Sequence, residues 1–167
     1  MIWLIRTCRF PLLVLLFSTF SVRQEPGTAS TQHENQRSVV VFVCEHGSAK
    51  SVIAAAYFNK LAKEQNLEIR AVSRGTNPDQ EIAPKAATGL RADGLAVTGE
   101  KPARLSKTDV STGIRVVAFC ELPEAYKESS RFVEWNDVPS VSADYSAARD
   151  VIVAHIKRLI NELKAEK

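Results

Sequence analysis

The chain has 167 residues, enough for one domain with a sizeable buried core. Its 45% hydrophobic and 25% charged residues are typical of an ordinary globular protein. The formal net charge is +3, but Arg6 and Arg9 lie in a first segment of 22 residues that holds no acid. Without these two arginines, 20 basic residues remain against 19 acidic ones, so no basic stripe indicates nucleic-acid binding.

The N-terminus is typical of a targeting sequence. Two arginines precede the apolar run Phe10–Val22, which falls short of the roughly 20 residues that a membrane-spanning helix needs. Residues 1–22 are predicted to be a signal peptide or a membrane anchor, so the domain is expected to be exported (periplasmic or secreted) or membrane-attached. A mis-assigned start codon would instead leave it cytoplasmic. Residues 23–37 are polar and predict a disordered linker, which leaves 38–167 as the domain.

Apolar runs alternate with amphipathic segments along this domain. Strands are predicted at Ser38–Val43, Glu68–Val72, Ile114–Phe119 and Phe132–Trp135, and helices at Ser51–Gln65, Ala83–Asp93 and Ser146–Leu163. This alternation predicts a three-layer α/β fold with a four-stranded parallel sheet. Ligands of such sheets bind beyond the carboxyl ends of the strands, where the strand order reverses.

The segment after the first strand, Cys44-Glu-His-Gly-Ser-Ala-Lys-Ser51, has the composition of an anion-binding loop. Small residues allow close backbone approach, and the following helix adds its positive end. The same field favours a thiolate, which makes Cys44 a candidate nucleophile, and the Ser51 hydroxyl can donate to its sulfur. The predicted oxyanion-binding residues are Glu45, His46, Gly47, Ser48, Ala49, Lys50 and Ser51. The alternative is that Cys44 is only a small buried hydrophobe.

Together with later motifs, this loop resembles the low-molecular-weight protein tyrosine phosphatase superfamily, which includes thioredoxin-coupled arsenate reductases. Those proteins have a strand, Cys-x5-Arg-Ser and a helix, and Cys44-x5-Lys50-Ser51 fills that frame. Ser73-Arg-Gly-Thr-Asn-Pro78 resembles the stretch that packs beside the loop. The strand that ends in Cys120 resembles the reductase strand that ends in its first resolving cysteine. The resemblance implies a phosphotyrosine protein phosphatase I-like fold over Val39–Leu163.

The chain departs from that family at positions on which its chemistry depends. Lys50 offers a point charge where the family has the planar fork of arginine. The family's general acid is an aspartate just before a proline, whereas Asp137 lies one residue early and Asp144 is a second candidate. No second resolving cysteine follows Cys120. We hypothesise that the Arg74 guanidinium reaches the anion in place of the missing fork, the alternative being a solvated surface arginine.

The histidines have no metal-ligand spacing, so neither a metal nor a cofactor is predicted. His46 either supports Cys44 or lies on the surface. His155 is expected to pack beside the apolar stripe of the last helix. His33 falls in the predicted linker, and Trp135 is predicted to belong to the core.

Three functions are consistent with these residues. The first is a phosphatase that acts on a phosphotyrosine or another phosphomonoester through a phosphocysteine intermediate, with Cys44 as nucleophile and Asp137 as general acid. The second is an arsenate reductase in which Cys44 attacks arsenate and Cys120, or an external thiol reductant, resolves the adduct. The third is a non-catalytic oxyanion-binding domain. The expected partners are therefore a phosphate-type oxyanion or a phosphoprotein substrate, and not a nucleic acid.

Overall fold

A computed structural model of the chain describes residues 38–97, 101–127 and 131–166. Its strands are Val39–Cys44 (β1), Arg70–Gly75 (β2), Arg115–Ala118 (β3) and Phe132–Glu134 (β4). Its α-helices are Lys50–Glu64 (α1), Pro84–Ala92 (α2), Lys107–Thr112 (α3) and Tyr145–Ala165 (α4), with a 3-10 helix at Glu124–Tyr126. The predicted leader (1–22) and linker (23–37) lie outside the described residues. Among residues 38–97, 101–127 and 131–166, no helix has the length and apolarity needed to cross a membrane.

The four strands form one sheet in the order β2-β1-β3-β4, and every pair is parallel. This confirms the predicted α/β fold with a four-stranded parallel sheet. Every residue of β1 is buried, as expected for a central strand that is covered on both faces. Phe42 faces α1 and α4 in the larger apolar cluster, whereas Val41 and Val43 face the side of α3 and the 3-10 helix.

The carboxyl end of β1 is the point at which the strand order reverses. The next strand along the chain, β2, pairs with one side of β1, and the strand after it, β3, pairs with the other side. In open parallel sheets such a reversal opens a crevice beyond the strand ends. Cys44, the last residue of β1, lies at this crevice.

Two details of the predicted elements need correction. The second strand was expected at Glu68–Val72 but runs over Arg70–Gly75, because its pairing with β1 continues until Gly75 lies opposite Cys44. Helix α3 was not expected. It is short and contains no buried residue, and a reciprocal cap stabilises its start: Ser106 Oγ accepts from Asp109 N–H while the Asp109 carboxylate accepts from Ser106 N–H.

A partly buried cluster of polar side chains joins the end of α2 to α1 and α4. Asp93 Oδ2 accepts hydrogen bonds from the hydroxyls of Tyr57 (2.7 Å) and Tyr145 (2.6 Å), and Oδ1 accepts one from Arg149 (3.1 Å). Burial opposes ionisation of Asp93, but the two tyrosine hydroxyls and the guanidinium hold its pKa below the usual value. Burial and the bond to Asp93 raise the pKa of Tyr57 to about 12. The cluster therefore holds the helix whose first turn borders the crevice.

Candidate active site

The loop between β1 and α1 turns its carbonyl groups away from the crevice. Four of its carbonyls accept backbone N–H groups from the segment after β2: Cys44 from Thr76 (3.2 Å), Glu45 from Asn77 (2.8 Å), His46 from Asp79 (3.0 Å) and Ser48 from Ala83 (3.0 Å). Because the peptide unit is planar and trans, each N–H that follows such a carbonyl points the opposite way, into the loop. Among the described residues, none of the backbone N–H groups of residues 45–49 donates a hydrogen bond to a backbone carbonyl. The loop is therefore a concave set of free donors that can hold an oxyanion.

A close contact between two glycines sets the shape of the loop. Gly47 has a φ of +61°, a conformation that L side chains rarely adopt. A Cβ atom on Gly47 would lie 2.8 Å from the backbone nitrogen of Gly75, and a Cβ on Gly75 would lie 2.8 Å from the nitrogen of Gly47. Neither position accepts a side chain without movement of the backbone. The lack of a side chain at both positions allows the stretch that contains Gly75 to lie this close to the cysteine loop.

The thiol of Cys44 lies at the base of the loop. Its Sγ is 3.0 Å from the hydroxyl oxygen of Ser51, and both side chains are buried. Helix α1 begins at Lys50 without a side-chain cap from Ala49 and without an acid in its first turn. The N-terminal N–H groups and the positive end of the helix dipole are thus available to an anion. This arrangement can stabilise a thiolate and a bound oxyanion together.

Cys44 opens into a cavity of about 550 Å³. The cavity is lined by the loop residues Glu45, His46, Ser48, Ala49 and Lys50, by Asp79, Ala83, Pro84, Lys85, Phe119 and Cys120, and by Ser140, Val141 and Ser142. Cys44 and Cys120 are both free thiols. Burial, followed by the negative charges of Cys44 and Glu45, raises the pKa of Cys120 to about 11, so this thiol stays protonated near neutral pH.

Lys50 connects the loop to the segment that follows β4. Its Nζ donates a hydrogen bond of 2.6 Å to the carbonyl oxygen of Val138, which is a buried residue. An ammonium group has three N–H donors, so two of them remain for a ligand in the cavity. Lys50 is thus both a charge beside the loop and a link to Val138.

Asp137 does not lie in the cavity. Both of its carboxylate oxygens are 2.8 Å from Nε2 of His155, whose ring stacks on Trp135 at a centroid distance of 4.6 Å. Arg158 donates to His155 Nδ1 at 2.8 Å, which leaves Nε2–H to donate to Asp137. The bond from His155 holds the pKa of Asp137 below its usual value. Since Val138 turns inward and is buried, its neighbour Asp137 faces α4, and this placement does not favour Asp137 as the general acid.

The other two auxiliary candidates also have local roles. The guanidinium of Arg74 is bonded away from the cysteine: its Nε and Nη2 both lie 3.0 Å from Asp109 Oδ1, and Nη1 donates to Ser73 O. Arg74 lines a second cavity of about 520 Å³, which also includes Gly47, and its ion pair with Asp109 does not favour the proposed contact with an anion. Asp144 caps α4 by accepting from Ala147 N–H at 3.0 Å.

Two charged residues of the cavity were not predicted. Asp79 accepts a hydrogen bond of 2.6 Å from the Ser48 hydroxyl, and its other oxygen is 3.3 Å from Nδ1 of His46. Lys85, in the first turn of α2, donates to the carbonyls of Ser142 and Ala143 at 2.9 Å each. Asp79 directly follows the Ser73–Pro78 motif, which was a usable signal, whereas nothing in the sequence marks Lys85. Among the residues described, no cluster of three His, Cys, Asp or Glu side chains could hold a metal ion.

Comparison with known proteins places these features in a family. Residues 39–127, just over half of the chain, match the model of the low molecular weight phosphotyrosine protein phosphatases. No curated protein matches the chain.

Solved structures with the same fold include both phosphatases and arsenate reductases. YfkJ from Bacillus subtilis is 21% identical with a TM-score of 0.69, over 77% of this chain and 96% of that one. A low molecular weight phosphotyrosine phosphatase from Vibrio cholerae O395 is 15% identical with a TM-score of 0.68, over 77% and 97%. An arsenate reductase from Archaeoglobus fulgidus is 25% identical with a TM-score of 0.59, over 73% and 98%.

Proposed function

Because the chain belongs to the low molecular weight phosphotyrosine protein phosphatase family, we propose that it is a cysteine-dependent phosphatase that acts on a phosphomonoester. The observation that carries this proposal is the position of the Cys44 thiol at the base of a loop whose N–H groups turn inward. Such a loop can bind three oxygens of a phosphoryl group while the sulfur faces the phosphorus.

The reaction would proceed in two displacements. The Cys44 thiolate attacks phosphorus, a sulfur–phosphorus bond forms, and the bond to the ester oxygen breaks. The loop N–H groups and the Lys50 ammonium stabilise the charge on the transferring group, and the Ser51 hydroxyl stabilises the thiolate. A water molecule then attacks the phosphocysteine, releases phosphate and restores the thiolate.

Hydrolysis of p-nitrophenyl phosphate by the full chain tests the proposal. Cys44→Ser should abolish turnover, whereas Cys120→Ser, a matched change of the second thiol in the same cavity, should leave it nearly unchanged. Acid quenching during turnover should trap one phosphoryl group on the wild-type protein and none on Cys44→Ser. Hydrolysis that survives in Cys44→Ser would refute the proposed nucleophile.

Arsenate reduction is the second candidate, because Cys120 lines the same cavity as Cys44. Cys44 would attack arsenic with loss of water, and the Cys120 thiolate would then attack the Cys44 sulfur. The electron pair of the arsenic–sulfur bond reduces arsenic(V) to arsenite as the disulfide forms, and an external dithiol must reduce that disulfide. The raised pKa of Cys120 makes its thiolate scarce near neutral pH, which disfavours this step.

The three functions predict different results with the same variants. Arsenite formation in the presence of a dithiol that requires both Cys44 and Cys120 would indicate a reductase. A protein that turns over neither substrate, but whose melting temperature rises with inorganic phosphate, would be a non-catalytic oxyanion-binding domain. The bond between Lys50 and Val138, and the bond of Asp137 to His155 outside the cavity lining, are the features that would favour this third outcome.

A further inference from the structure

We propose that His46, oriented by Asp79, is the general acid of the phosphatase reaction. This inference rests on the proposed function and assigns to a loop residue the role that an aspartate before proline has in the family. It starts from the position of Asp137, whose carboxylate is bound to His155 outside the cavity and is not placed to protonate a leaving group there.

The acid must lie at the mouth of the cavity. In an in-line displacement the leaving oxygen departs on the side of phosphorus opposite to the attacking sulfur. Because Cys44 is buried at the base, that side faces the opening. His46 lines the same cavity only two residues after Cys44, and its side chain is 53% exposed.

Asp79 lies beside one nitrogen of the imidazole and can orient the ring through its charge. Nδ1 of His46 is 3.3 Å from Asp79 Oδ1, while Nε2 is 3.8 Å from the Glu45 carboxylate, beyond hydrogen-bond distance. Nδ1 thus makes the shorter ion-pair contact, on the Asp79 side of the ring. Nε2 makes only the longer one with Glu45 and is the nitrogen that we assign to proton exchange with a substrate. Asp79 is itself held by the Ser48 hydroxyl at 2.6 Å and by its own N–H, which donates to the His46 carbonyl at 3.0 Å.

Three other charged groups of the cavity are less suited to donate this proton. Both Asp79 oxygens face donors, so this carboxylate acts as an acceptor. The ammonium of Lys85 is bound to two backbone carbonyls, and that of Lys50 to a third. Histidine is also the most frequent general acid or base in enzymes, because imidazole exchanges protons readily near neutral pH.

The proposed proton transfers balance over the cycle. In the first displacement the imidazolium gives its Nε2 proton to the ester oxygen as the phosphorus–oxygen bond breaks, and the product alcohol leaves neutral. In the second, the neutral imidazole takes a proton from the attacking water as the phosphorus–sulfur bond breaks. Phosphate, the Cys44 thiolate and the imidazolium result. Asp79 holds the ring throughout and exchanges no proton, so it is a positioning residue.

Two esters with different leaving groups test this assignment. p-Nitrophenolate leaves without much help from an acid, whereas phenolate is a poor leaving group. His46→Asn should therefore lower kcat for phenyl phosphate by about 10²–10³-fold and for p-nitrophenyl phosphate by less than about 10-fold. Asp79→Asn should produce a smaller loss with the same dependence on the leaving group. Asp137→Asn, the matched control at the rival acid, should change both rates by similar small factors.

Each remaining result has a defined meaning. His46→Asn should still show the wild-type rise in melting temperature with inorganic phosphate, because backbone N–H groups bind the anion. Equal losses with the two esters in His46→Asn, or a leaving-group dependence in Asp137→Asn instead, would overturn the role of His46 while the phosphatase activity stands. A wild-type protein that hydrolyses neither ester overturns the proposed function and this assignment with it.

Discussion

Replacing Lys50 by methionine removes a charge but keeps most of the aliphatic stem, and the structure predicts two separable effects. Without a ligand, the change removes a bond of 2.6 Å from an ammonium to the Val138 carbonyl. Hydrogen bonds from charged donors contribute about 1.5–3 kcal/mol, so the melting temperature should fall by roughly 5–15 °C. In the presence of phosphate, loss of one charge-assisted contact to the oxyanion should weaken binding by about 10–100-fold.

Thermal unfolding with and without inorganic phosphate measures both effects on one sample. The matched control is Lys157→Met, which removes an exposed lysine on α4 that has no hydrogen bond or ion pair among the described residues. If the ligand-free Lys50→Met protein has the same melting temperature as the control, the Val138 contact contributes nothing to stability. If phosphate raises the melting temperature of both variants equally, Lys50 is not a ligand of the anion, and the reasoning about its free donors is wrong.

Three further changes test other parts of the structure. Gly47→Ala should destabilise the protein by at least about 1–3 kcal/mol in chemical denaturation, because φ is positive and the added Cβ meets Gly75; unchanged stability would contradict the close contact. Asp93→Asn should make the free energy of unfolding depend less on pH in the acid range. The lowered pKa of Asp93 stabilises the fold above its ordinary carboxyl range, and that contribution disappears as pH falls through the folded value, so an unaltered pH dependence of urea denaturation would refute this linkage. Alkylation of Cys120 should accelerate up to about pH 11 in the wild type and at lower pH in Cys44→Ser, because a neighbouring negative charge is gone; identical profiles would show that the two thiols do not interact.

The sheet could be predicted from the sequence because its signals are local. The apolar run of β1 and the helix that follows it are continuous patterns, and their order along the chain restricts the topology. Helix α3 could not be found in this way, since it has six residues and no apolar face. Its only signal is the spacing of Ser106 and Asp109, which is a capping box without an apolar run after it.

Within the site, contacts between residues close in the sequence could be predicted, and contacts between residues far apart could not. The contact of Cys44 with Ser51 spans seven residues, and the start of a helix after the loop makes it nearly unavoidable. Arg74 has its partner Asp109 in a helix 35 residues later, which no local pattern indicates. The orientation of Asp137 is harder still, because burial of Val138 in the core decides that the adjacent carboxylate turns outward.

These placements suggest how the chemistry of the family is redistributed in this chain. The segment after β2 is bonded to the cysteine loop by four backbone hydrogen bonds, so Asp79 and the loop form one rigid unit. The proposed nucleophile, the backbone oxyanion donors and the proposed acid all belong to that unit, and of the groups proposed to act on the substrate only the Lys50 ammonium is bonded to the segment after β4. That segment instead receives hydrogen bonds from the ammonium groups of Lys50 and Lys85. An acid carried by a rigid loop needs no movement of a second loop to reach the leaving group, which is the kind of preorganisation that lowers a barrier.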